Sequence, residues 1–93
     1  MKYKFLKPVS FEGKNYDEIE LDLDGMSSAD VEAVYKQINT VANSDISFTP
    51  NITWKYFAAR AAKLPVEFFT SMPDGRDYMR IGRIVENFFG YMP

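Results

Sequence analysis

Two sets of charged residues in this 93-residue chain have the types and spacing that ligand chemistry requires. Glu18, Glu20, Asp22 and Asp24 put a carboxylate at every second position, and carboxylate oxygens are ligands for divalent cations. Side chains at i and i+2 of an extended strand stand ~7 Å apart, however, so four on one strand form no compact cage without help from a loop. A solvated outer face that discourages edge pairing accounts for them better, with a basic partner surface as the second reading. Arg76, Arg80 and Arg83, spaced four and three apart with Tyr78 and Tyr91 nearby, combine the cations and rings that hold single-stranded nucleic acid. Ion pairs with Asp74, Asp77 and Glu86 explain them more simply, and a net charge of −2 argues against a polyanionic partner.

Absences narrow the chemistry further. The chain has neither Cys nor His, which removes disulfides, thiolate and imidazole metal ligands, cysteine nucleophiles and the commonest general base. The five Gly are scattered, with no Gly-rich stretch opening a helix to cradle a phosphate. Lys63, on an Ala-rich stretch, falls at a helix end and reads as solvated. No nucleophile–base pair can be nominated. The expectation is a non-enzymatic protein with no catalytic residue, no cofactor and no metal.

The other unusual feature is apolar. Phe68, Phe69, Met72, Tyr78, Met79, Phe88, Phe89, Tyr91 and Met92 crowd the last 26 residues. A small core absorbs about two-thirds of such a set; the remainder forms a patch of the kind that marks an interaction surface, and Met makes such a surface adaptable. Charge is divided too. Residues 1–47 carry five Lys against nine acids and residues 48–93 carry six bases against four, so the halves are −4 and +2. That asymmetry suits self-association.

These residues must be held by a fold, and the composition is that of a folded chain: 46% hydrophobic and 16% aromatic. The length suits one domain with one core. No apolar run approaches a membrane span, and the Lys-rich start has no apolar stretch behind it, so a soluble, intracellular protein is expected. The fold class reads as α+β, a single small domain over 1–93 with an N-terminal β-hairpin followed by three α-helices. The hairpin occupies 1–24. Ile19, Leu21 and Leu23 alternate with the acids, Glu12-Gly13-Lys14-Asn15 supplies the turn, and Pro8 makes the first strand an edge or breaks it. Helix one, 27–42, starts at Ser27, with Asp30 completing a capping box and Met26 facing Val31; Val31, Val34, Tyr35, Ile38 and Val41 form its apolar stripe. Asn43 to Thr53 reads as a polar loop carrying Ile46 and Phe48. Helix two, 53–64, is capped by Thr53 and stopped by Pro65, and a short helical turn follows at 65–71. Helix three, 74–89, carries Tyr78, Ile81, Val85 and Phe88 inward and ends at Gly90; Gly82 in its interior suits the close approach of another helix.

The order of these features resembles a known family. Lys7-Pro8-Val9-Ser10-Phe11-Glu12-Gly13-Lys14, then Tyr16, leads into Ile19-x-Leu21-Asp22-Leu23, and a Met26-Ser27-Ser28-Ala29-Asp30 helix start follows. Phe57-Ala58-Ala59-Arg60-Ala61-Ala62-Lys63-Leu64-Pro65-Val66 and a terminal Ile84-Val85-Glu86-Asn87-Phe88-Phe89 complete the pattern. Over nearly the whole chain this is similar to the small Mu-like tail assembly chaperones of tailed bacteriophages and prophages. The resemblance implies a protein that coats and solubilises the tape measure protein, helps recruit tail tube subunits, works in the cytoplasm of the bacterial host and leaves the finished virion. It also implies a longer frameshifted partner product, which the ending Gly90-Tyr91-Met92-Pro93 would suit. The family brings no catalytic residues. Phe68, Phe69, Phe88, Phe89 and Met92 are the expected partner contacts. The competing reading is a small prophage-encoded regulatory or nucleic-acid-binding protein acting through Arg76, Arg80 and Arg83.

Overall fold

The computed structural model describes residues 1–41 and 50–90. Its elements are β1 (Lys2–Phe11), β2 (Lys14–Glu20), α1 (Ser28–Val41), α2 (Pro50–Ala62), a 3₁₀ turn (Val66–Thr70) and α3 (Gly75–Phe88). An antiparallel hairpin is thus followed by three α-helices in one domain of α+β class.

The hairpin turn is tighter than the four residues expected. Glu12 and Gly13 both take positive φ, 50° and 79°, the signature of a two-residue type I′ turn, and Lys14 and Asn15 already pair with Phe11 and Ser10. The ladder is not uniform. Lys4 pairs with Glu18 and Val9 with Tyr16, so Phe5, Leu6, Lys7 and Pro8 together oppose Asp17 alone. Pro8 therefore does not end the strand; it sits in a bulge, where its missing N–H costs the ladder nothing. Strand pairing stops at Glu20, but Leu21 donates to the Met1 carbonyl at 2.7 Å and accepts from the Met1 amino group at 3.1 Å. The alternation survives beyond the strand: Ile19, Leu21 and Leu23 are buried, and the acids between them are exposed.

The capping box forms as expected. Asp30 N–H donates to Ser27 Oγ at 3.2 Å, and Ser27 N–H donates to Asp30 Oδ2 at 2.9 Å. The free Asp30 oxygen accepts from Arg60 Nε and Nη2 at 3.0 and 2.8 Å, so one carboxylate both caps α1 and ties it to α2. Val34 and Ile38 are buried, whereas Tyr35 lies at the margin of the stripe and is 53% exposed, its ring edge-on to Phe57 at 5.8 Å.

Helix α2 begins three residues before the expected Thr53 cap, with Pro50 as its first residue, a position where a missing N–H is harmless. The 43–49 part of the expected loop, with Ile46 and Phe48, and position 42 of the expected first helix lie outside the described residues. The buried Trp54, Phe57, Ala58, Ala59 and Ala61 make α2 the central element, between α1 and α3. Its C-terminus is closed by two bonds, Lys63 N–H to the Arg60 carbonyl (3.4 Å) and Leu64 N–H to the Ala59 carbonyl (3.1 Å), with Lys63 at φ 57°. This is a Schellman closure with Lys where Gly is usual. The 3₁₀ turn then drives Phe68 into the hairpin, where its ring lies 5.0–5.9 Å from Phe5, Phe11 and Tyr16. Phe69 goes under Trp54. Each of these buried rings contributes about 2–3 kcal/mol of apolar transfer.

Helix α3 starts at an Asp74 cap, whose side chain accepts from Arg76 N–H at 2.9 Å. Ile81 and Val85 face the core. Phe88 does not; it is 45% exposed. A Cβ built on Gly82 would stand 2.9 Å from Trp54 Nε1, so this glycine is what allows the Trp54 indole to lie against the α3 backbone.

Candidate functional site

The outer face of α3 is the surface that the fold leaves unfilled. Arg76, Arg80, Arg83 and Asn87 recur at spacings of four, three and four along its exposed side. Apolar hollows flank this ridge. On one side Met79, 63% exposed, rims a depression with Trp54, Tyr78 and Gly82 beneath. On the other, Ile84 and Phe88 meet Met1, Leu21 and Leu23 around a hollow of about 410 Å³. Between them a groove of about 600 Å³ runs over Tyr3, Met79, Arg80, Arg83, Ile84 and Asn87. Met1 is 56% exposed, so flexible thioethers stand on both sides of the face.

One buried carboxylate positions this face. Asp77 has no exposed surface and accepts from Tyr3 Oη at 2.6 Å, from Leu6 N–H at 3.1 Å to each oxygen, and from Lys7 N–H at 3.4 Å. The Leu6 and Lys7 amides belong to the bulge, the part of β1 that β2 leaves unpaired. Asp77 supplies the acceptors that the ladder withholds, and in doing so fastens β1 to α3 and sets Tyr3 as the floor of the groove. Burial, the Asp77 hydrogen bond and the Asp77 charge, in that order, push the Tyr3 hydroxyl up to about 12, with Arg80 opposing them through its charge and its hydrogen bond to the hydroxyl. Asp77 is thus not the surface ion-pair partner that its neighbours suggested. The signal was in its position: Asp77, Ile81 and Val85 recur every four residues, and an acid in the apolar stripe of a helix needs buried donors.

The charges divide unevenly. Arg76 is spoken for, its Nη2 2.7 Å from Asp74 Oδ2 and its Nε 3.1 Å from Oδ1. These bonds and the Arg76 amide hold the Asp74 carboxyl well below the usual carboxylate range. Arg80 and Arg83 form no salt bridge among the described residues. Of the ion pairs expected along α3, that of Arg76 with Asp74 is the one made among the described residues; Arg80 turns to the Tyr3 hydroxyl, and Arg80 and Arg83 stand exposed beside apolar hollows. The acidic strand is the opposite case. Glu20 meets the N-terminal amino group at 2.9 Å, Glu18 meets Lys2 at 3.6 Å, and Asp22 accepts from Gly25 N–H, so the carboxylates diverge to separate partners. Among the described residues no three acids converge as metal ligands would.

The expected partner contacts separate in the same way. Phe68 and Phe69 are fully buried, which corrects their place among surface residues: the hairpin underside and Trp54 needed both rings. Phe89 is half-buried against Phe57 at 5.1 Å, and Phe88 meets Phe89 edge to face at 5.1 Å while remaining exposed. Met92 lies outside the described residues. Of the described four, Phe88 is the one presented outward; Met1, Met79 and Ile84, not singled out by the sequence, join it.

The sequence matches no family model and no curated protein, and the fold matches no solved structure. Among the described residues no helix is long and apolar enough to cross a membrane.

Proposed function

We propose that this chain is a non-enzymatic binding protein, a tail assembly chaperone of the tailed-phage type, which holds the tape measure protein on the outer face of α3 in the bacterial cytoplasm and helps bring tail tube subunits to it. The observation that carries the reading is that two exposed guanidiniums, Arg80 and Arg83, which have no salt bridge among the described residues, are paired with the exposed Met1, Met79 and Phe88. Such a face combines apolar contact with charge steering, which is what a chaperone for a long, aggregation-prone polypeptide needs. The motif order from Lys7 to Phe89 supports the family, and a single binding face per small domain supports a coat of many copies along one partner.

Co-expression tests this reading. The protein to co-express is the tape measure protein of the proposed phage or prophage, and the expected result is its conversion from insoluble to soluble with co-elution of several copies of this chain. A folded chain that neither solubilises nor co-elutes with that protein overturns the reading. A regulatory protein would instead show salt-sensitive nucleic-acid binding through Arg80 and Arg83.

A further inference from the structure

Resting on the binding role above, we infer that the segment this chain recognises is an acidic amphipathic helix of about three turns, laid along α3. The length follows from the face. Arg76 to Phe88 is twelve residue steps, or ~18 Å of helix, which a partner helix of about 12 residues covers. The chemistry follows from what is unsatisfied. Among the described residues Arg80 and Arg83 have no carboxylate partner and stand one turn apart; Arg80 touches the Tyr3 hydroxyl, and the nearby acids Asp74 and Asp77 are turned to Arg76 and to β1. Carboxylates at i and i+3 or i+4 of a partner helix have the spacing to meet both guanidiniums.

Apolar anchors are required as well. The hollow around Ile84 and Phe88 is continuous with the central groove, sharing Ile84 and Asn87 with it, and accepts one or two aliphatic side chains per turn from the same helix. A strand would place alternate side chains away from α3, whereas a helix turns its apolar stripe inward and its flanking acids onto the arginines. Nucleic acid could use the two cations, but it has no aliphatic side chains for the hollow around Ile84 and Phe88, and the ridge between the hollows is short.

Photocrosslinking of the co-expressed complex tests this. A benzoylphenylalanine is placed in turn at Met79, at Phe88 and, on the exposed side of α1, at Glu32, and the crosslinked partner peptides are sequenced. The expected result is capture from Met79 and Phe88 of one helical segment with net negative charge, no capture from Glu32, and at least a tenfold affinity loss for Arg80→Gln/Arg83→Glu with unchanged circular dichroism. A complex that forms yet crosslinks from Glu32, or captures a neutral or basic segment, overturns this inference and leaves the chaperone reading standing. If no complex forms, both fall. Retained affinity in the Arg80→Gln/Arg83→Glu variant overturns the acidic-helix assignment alone.

Discussion

Removing the Asp77 carboxylate exposes how much of the fold rests on one side chain. Asp77→Ala leaves three donors without an acceptor: the Tyr3 hydroxyl and the Leu6 and Lys7 amides. An unsatisfied buried donor costs about 1–3 kcal/mol. The amides sit in an exposed bulge that water can reach, so about 1 kcal/mol each is appropriate; the Tyr3 hydroxyl is enclosed and takes about 2. The expected loss is therefore about 4 kcal/mol, against a total of roughly 5–14 kcal/mol for a domain of this size. Tyr3→Phe alone removes one charge-assisted bond, for about 1–2 kcal/mol. In the Asp77→Ala background the same change deletes an orphaned hydroxyl and becomes neutral or stabilising, giving a coupling energy of about 2 kcal/mol. Asp77→Asn keeps the shape and one acceptor and loses about half as much as Asp77→Ala. Urea unfolding followed by the fluorescence of Trp54, the only tryptophan, reads each variant. With m of about 1 kcal/mol/M the Asp77→Ala midpoint falls by several molar, which in a marginal background means an unfolded protein. An Asp77→Ala loss below about 1 kcal/mol, or strictly additive Tyr3 and Asp77 effects, would refute the assigned role.

Other outcomes follow from the same geometry. Lys63→Gly relieves a φ of 57° at the end of α2 and stabilises by up to about 1 kcal/mol in urea titration; no gain means that the closure is unstrained. Gly82→Ala gains about 1 kcal/mol of helix propensity but forces a Cβ to within 2.9 Å of Trp54; overpacking costs about 1–3 kcal/mol, so a net loss and an altered near-ultraviolet tryptophan signal are expected. On the acid side, Asp30 and Asp74 both titrate below their unfolded values, chiefly through bonds with the Ser27 amide and Arg76 respectively. Their contribution is complete above about pH 4 and is lost as pH falls through the folded values, so urea midpoints drop there, and less in Asp74→Asn. On the alkaline side the Tyr3 value of about 12 lies above the ordinary 10.0. Its contribution is complete below about pH 10 and disappears between pH 10 and 12, a decline that Tyr3→Phe removes.

What could be read from the sequence was local. The Ser27–Asp30 box, the acid-alternating run of Ile19, Leu21 and Leu23, and the Asp74 and Gly90 boundaries of α3 are each encoded within a few neighbouring residues, and each forms. The bulge is not local. Four residues can oppose one because Asp77, about seventy positions later in the chain, accepts the freed amides, and no periodicity in β1 announces that. The start of α2 was missed because Pro50 reads as a breaker from one side and as a first helical residue from the other. For the candidate site, the arginine spacing is visible, but which guanidiniums find a carboxylate depends on the Arg76–Asp74 pair and on the burial of Asp77. Phe68 and Phe69 were assigned outward for a related reason. A run of aromatics reads alike in a core and on a surface, and the 3₁₀ turn that inserts both rings is set by the hairpin they fill.

The central claim is that the outer face of α3 binds a protein partner. Its most direct test is to co-express a tape measure protein with the wild-type chain and, in parallel, with Arg80→Gln/Arg83→Glu, two exposed positions where the Gln keeps a donor toward Tyr3. The account predicts a soluble co-eluting complex with the wild type and its loss with the variant, both chains having the same melting temperature. Equal rescue by the two chains would contradict it.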